Sequence, residues 1–76
     1  MSNPNPFKNE LLITDIKAGE EYEVKIFNVL GELKINNFIN SENNILNTQS
    51  LANGTYIISI KTEGYTYYKK LIKSDI

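Results

Sequence analysis

The sequence predicts an all-β domain, a small antiparallel β-sandwich of six to seven short strands. Three observations carry this expectation. Apolar residues recur with a period of two rather than 3.6, and turn-forming residues interrupt them roughly every eight to twelve positions. No long stretch repeats the i, i+3, i+4, i+7 spacing of an amphipathic helix.

The elements follow in chain order. Residues 1–9 hold both prolines and three asparagines, a composition that reads as the extended end of a linker. Residues 10–76 are read as the β-sandwich domain. From Glu10 to Thr14, Leu11 and Ile13 share one face, and residues 15–21, with Gly19 inside, read as a turn. Tyr22 to Asn28 alternates most clearly, with Tyr22, Val24 and Ile26 on one face and Glu23 and Lys25 on the other. Asn28-Val29-Leu30-Gly31-Glu32 makes a tight reversal in which Gly31 takes positive φ, and Leu33 to Phe38 returns as the second arm of a hairpin.

Asn40 to Asn44 is polar and reads as a loop, and Ile45 to Thr48 as a short strand. Leu51-Ala52-Asn53-Gly54 is the strongest turn signal in the chain, because Asn53-Gly54 tolerates positive φ and β-branched residues follow. In the strand Thr55 to Thr62, Tyr56, Ile58 and Ile60 line one face, opposite Ile57, Ser59 and Lys61. Glu63-Gly64 closes a second hairpin onto Tyr65 to Lys73, the longest strand.

Composition narrows the function. At 76 residues the chain is one module, too short for a large enzyme with its own substrate domain. Eight cations against nine acids leave a formal charge of −1, without the basic field that gathers nucleic acid or anionic lipid. All eight cations are lysine, so the planar guanidinium fork suited to phosphate is missing. The chain has no Cys and no His, which removes disulfides, thiolate nucleophiles and the commonest general base and metal ligand. No stretch is long and apolar enough to span a membrane, and the first ten residues carry no signal peptide. The expectation is a non-enzyme with no cofactor, no metal and no nucleic-acid partner.

The remaining constellations each have a plainer reading. Glu20, Glu21 and Glu23 form an acidic cluster that suggests Ca²⁺, yet there is no Asp-x-Asp spacing and no Gly-centred loop, so a solvated turn is favoured. Ser41, Ser50 and Ser59 have no His partner and no G-x-S-x-G elbow. Tyr65, Tyr67 and Tyr68 beside Lys69, Lys70 and Lys73 suggest a stacking platform for sugars or single strands. The favoured alternative packs alternate tyrosines in the sheet and uses the lysines to solubilise an edge strand.

Taken together, Pro4-Asn5-Pro6, Leu11-x-Ile13, Tyr22-x-Val24-x-Ile26 leading to Gly31, Leu51-x-x-Gly54-x-Tyr56-x-Ile58-x-Ile60 and Lys69-Lys70-Leu71-x-Lys73 form an ordered series. In order and spacing it resembles the type A C-terminal sorting domain of the type IX (Por) secretion system, from about Asn3 to Asp75. The weakest correspondence is the Asn-rich stretch from Asn36 to Asn47.

The resemblance implies an immunoglobulin-like β-sandwich. It implies a non-catalytic signal that directs a larger upstream cargo domain, in the same precursor, across the outer membrane of a Gram-negative bacterium. The implied partners are the outer-membrane translocon and a sortase-like surface protease, and the implied location is the periplasm in transit, then the cell surface or medium. Leu11, Ile13, Tyr22, Val24, Ile26, Tyr56, Ile58 and Ile60 match inward positions of the family, and Gly31, Asn53 and Gly54 match turns. The C-terminal strand, with Lys69, Lys70, Leu71 and Lys73, is the expected recognition surface, because it combines charge with an available edge. That edge also allows a dimer. Cleavage is expected in the extended segment before or around Asn3 to Phe7. The competing reading is an accessory module of a secreted enzyme or adhesin, binding carbohydrate or the cell surface.

Overall fold

The structure, a computed structural model, describes residues 9–74. Six strands form: β1 (Glu10–Leu12), β2 (Tyr22–Asn28), β3 (Leu33–Ile39), β4 (Ile45–Asn47), β5 (Gly54–Thr62) and β6 (Tyr65–Lys73). They make a two-stranded sheet, β1-β4, and a four-stranded sheet in the order β3-β2-β5-β6, with every pairing antiparallel. No helix occurs among the described residues. The fold is therefore all-β, in the form of a small sandwich. The expected linker end, with Pro4, Asn5 and Pro6, lies outside the described residues apart from Asn9.

Each sheet is explained by its alternation. In β2 the buried Val24 and Ile26 face one way and Glu23, Lys25 and Phe27 the other. A one-residue shift in that strand would carry its whole apolar set to solvent, so the pattern sets the register. Ile58 and Ile60 of β5 lie directly opposite Ile26 and Val24, and Leu71 of β6 lies opposite Tyr56. These side chains form one cluster with Leu11, Ile13, Ile39, Leu46 and Leu51. The small sheet contributes Leu11 and Leu46 to it, so the two sheets enclose a single core.

The long connection after β1 is tied back to Asn44, the residue before β4, by two bonds. The Ile13 amide donates to the Asn44 carbonyl at 3.0 Å, and Asn44 Nδ2 donates to the Ile13 carbonyl at 2.6 Å. Tyr22, expected wholly inside, is only half-buried at the start of β2. Its ring packs against the cluster, and its hydroxyl reaches outward to Glu20 Oε1 at 2.8 Å. A phenol with a polar end is best placed where the strand leaves the core.

The β2–β3 hairpin is built around Asn28. Gly31 has φ 84, a left-handed conformation that side chains disfavour, while an added Cβ would meet no atom within 4 Å. Backbone torsion, not crowding, thus requires glycine there. The Asn28 carbonyl accepts from the Gly31 amide at 3.0 Å, and Asn28 Oδ1 accepts from the amides of Leu30 and Glu32, both at 2.9 Å. Asn28 Nδ2 in turn donates to Glu32 Oε1 at 2.7 Å. A register shift between Ile26 and Phe27 then sets Leu33 opposite Phe27.

Candidate functional site

The order β3-β2-β5-β6 leaves β6 at one edge of the larger sheet. Its side chains divide by parity. Lys69, Leu71 and Lys73 lie on the core side, with Lys69 half-buried and Leu71 and Lys73 buried. Tyr68, Lys70 and Ile72 lie on the outer face and are exposed. Lys70 sits directly opposite Ile57.

The expectation that Lys73 and Leu71 are displayed for recognition is corrected at this point. Leu71 belongs to the core, and Lys73 is only 3% exposed. The Lys73 ammonium donates to the carbonyls of Thr48 at 2.6 Å and Leu51 at 2.7 Å, with the Gln49 carbonyl at 3.4 Å. An ammonium has three donors and no acceptor, so a cage of carbonyls is the arrangement that satisfies it away from water. Period-two reading carried the signal, since Lys73 shares the parity of Leu71. Inward-facing lysines on an edge strand also discourage indiscriminate strand pairing.

The turn that Lys73 clasps is held from a second side. Tyr56, near the start of β5, donates from its hydroxyl to the Ala52 carbonyl at 2.6 Å. A tyrosine bonding back to the backbone a few residues upstream is the arrangement called a tyrosine corner in immunoglobulin-like sandwiches. Gly54, two residues earlier, has φ 153 and opens β5, so the turn ends at Asn53 rather than including Gly54. That torsion lies where residues with a Cβ are strained. The Leu51 amide donates to the Thr48 carbonyl at 3.1 Å, and Leu51 itself is buried. The series Leu51, Gly54, Tyr56 and Lys73 is therefore one structural unit, in which a turn between the sheets is fastened to the last strand.

At the opposite end of the sheet an open cleft is lined by Tyr22, Tyr65 and Tyr67 together with Glu20, Glu21 and Glu63. The Glu20 hydrogen bond raises the Tyr22 pKa above 10.0, opposed by the Lys17 amide and helped by burial and the Glu20 charge. A platform using Tyr65, Tyr67 and Tyr68 is not assembled, because Tyr68 points from the other face of the strand. No group of three or more acids among the described residues is placed to hold a metal ion.

The outer face of the four-stranded sheet holds a feature that sequence reading passed over. Phe27 lies directly opposite both Ile57 and Leu33, so apolar side chains from three strands stand in one row across the sheet. Alternation within β2 and within β5 could have put Phe27 and Ile57 each on an outer face, but their meeting depends on the β2–β5 register.

The family described as secretion system C-terminal sorting domain matches residues 3–74. None of the curated proteins and none of the solved structures matches the chain. A match over nearly the whole length, on a β-sandwich whose turn and last strand are fastened together, means that the chain belongs to the Por secretion system C-terminal sorting domains, non-catalytic secretion signals of secreted or cell-surface cargo proteins.

Proposed function

We propose that the outer-membrane translocon reads this domain in the periplasm along the β6 edge, using the Lys70 charge together with the backbone of the strand. Lys69 flanks that edge from the core side, whereas Leu71 and Lys73 hold the strand in place. The supporting observation is that β6 is an edge strand whose exposed cation is Lys70. Strand addition supplies affinity through the main chain, and a side chain at a fixed register supplies selectivity. After passage of the upstream cargo domain, a sortase-like protease cuts in or before residues 3–7, which lie outside the described residues.

The test is a periplasmic reporter fused ahead of residues 1–76 in a host with a Por secretion system. The reporter is expected outside the cell, with a new C-terminus near residues 3–7 by mass spectrometry. Lys70→Glu is expected to lower the secreted fraction while leaving the urea midpoint unchanged. Unaltered secretion of that variant would remove the charge from the reading. Deleting residues 69–76 is not a substitute test, because it also removes Leu71 and Lys73 from the interior.

A further inference from the structure

We infer that the cleft between the loop of residues 15–21 and the β5–β6 turn binds a guanidinium group, the arginine side chain of a partner peptide. The site goes beyond the β6-edge reading, because it opens on the core side of the sheet whereas Lys70 stands on the outer face. Its origin is a mismatch between the sheets. β1 and β4 are three residues long against seven to nine in the larger sheet, so they leave part of its inner face uncovered. The covered end is the one where Lys73 reaches the Thr48 carbonyl, and the open end is the opposite one, at Tyr22 and Tyr65.

There the register brings aromatic side chains together. Tyr65 lies opposite Thr62 and Tyr67 opposite Ile60, while Tyr22 stands on the far side of Thr62, one residue before the Glu23–Lys61 pair. Tyr22 and Tyr67 are half-buried and Tyr65 is 61% exposed, so the floor of the cleft is aromatic and reachable from solvent. The cleft holds about 610 Å³, a size suited to a small ligand or a single long side chain. Its wall is tied down. The Lys17 amide donates to the Tyr22 hydroxyl at 3.4 Å, that hydroxyl donates to Glu20 Oε1 at 2.8 Å, and Thr62 Oγ1 donates to the Glu21 carbonyl at 3.5 Å. A preformed wall spares the ligand the cost of ordering it.

The chemistry selects among ligands. Asp15, Glu20, Glu21 and Glu63 line the cleft against one cation, Lys17, a balance that opposes any anionic group or surface. A hard metal ion wants about six to eight converging oxygens, whereas no group of three or more acids among the described residues is placed to hold one, and a metal would leave the rings unused. A guanidinium uses both halves of the cleft, since its plane stacks on a tyrosine face and its fork meets a carboxylate. A second copy cannot supply that group, because all eight cations of the chain are lysine.

The test is an NMR titration of the purified 76-residue chain with the capped peptide acetyl-Gly-Arg-Gly-amide. Shifts are expected at Tyr22, Tyr65, Glu21 and Glu63, with a Kd on the order of 1 mM that rises with added salt. Glu21→Gln with Glu63→Gln, both at exposed positions, is expected to weaken binding about tenfold. Tyr65→Ala is expected to weaken it about threefold, and Tyr68→Ala, on the outer face, to leave it unchanged. Tyr65→Leu, which removes the ring and keeps an apolar side chain, replaces Tyr65→Ala if the urea midpoint shows that variant unfolded. Equal affinity of the matching lysine, citrulline or glutamate peptide overturns the proposal, as do shifts confined to residues outside the cleft. So does binding of Ca²⁺ or methyl glucoside at the same residues as tightly as the arginine peptide. Self-association in sedimentation that Glu21→Gln with Glu63→Gln abolishes also overturns it, by giving the cleft to lysines of a second copy. Secretion of the reporter is scored separately, so a failure of the β6-edge reading leaves this result standing.

Discussion

The Lys73 ammonium donates to the Thr48 carbonyl at 2.6 Å, joining the final strand to the turn between the two sheets across 25 residues of sequence. The contact lies inside the domain, and it explains why a lysine can end β6 without reaching solvent. Replacement by Met keeps most of the stem and removes the donors, leaving the Thr48 and Leu51 carbonyls without their charged partner. Lys73→Met is expected to cost about 2 kcal/mol, the range for losing a buried charge-assisted bond. Urea unfolding of the purified chain measures it, and a midpoint equal to wild type would show that the cage contributes nothing net.

Tyr56 and Gly54 act on the same turn by different means. Tyr56→Phe removes the bond to the Ala52 carbonyl and is expected to cost about 1 kcal/mol. Gly54→Ala meets no neighbouring atom but forces a side chain onto φ 153, so it is expected to cost about 1–3 kcal/mol through backbone strain. Thermal unfolding of the two variants and their combination checks both values. Because the residues serve one turn, a combined loss smaller than the sum is expected.

Tyr22 supplies a pH signature. Its phenol donates to the Glu20 carboxylate, so the folded state holds the proton more tightly than the unfolded chain does. With the folded pKa raised, the contribution is complete below pH 10.0 and is lost as the pH rises through the folded value. Tyrosinate absorbance during alkaline titration should show a late component from Tyr22. That component should vanish in Tyr22→Phe and move to lower pH in Glu20→Gln. A Glu20→Gln curve identical to wild type would dismiss the hydrogen bond as the cause.

Local pattern determined much of this protein. The period-two runs in Tyr22 to Asn28 and Thr55 to Thr62, and the glycine at 31 between two strand patterns, specified strands, buried faces and one hairpin, because each depends on residues close together in the chain. The spaced motif likewise carried the family. The C-terminal strand was legible as an edge, but tertiary structure alone decided that β3 forms the other edge and that Phe27, Leu33 and Ile57 meet in one row, since pairing is made between distant segments. It also moved Lys73 from presumed surface to interior. Charge argues for solvent at any single position, and only a converging set of carbonyls from residues 48–51 offsets the desolvation of an ammonium.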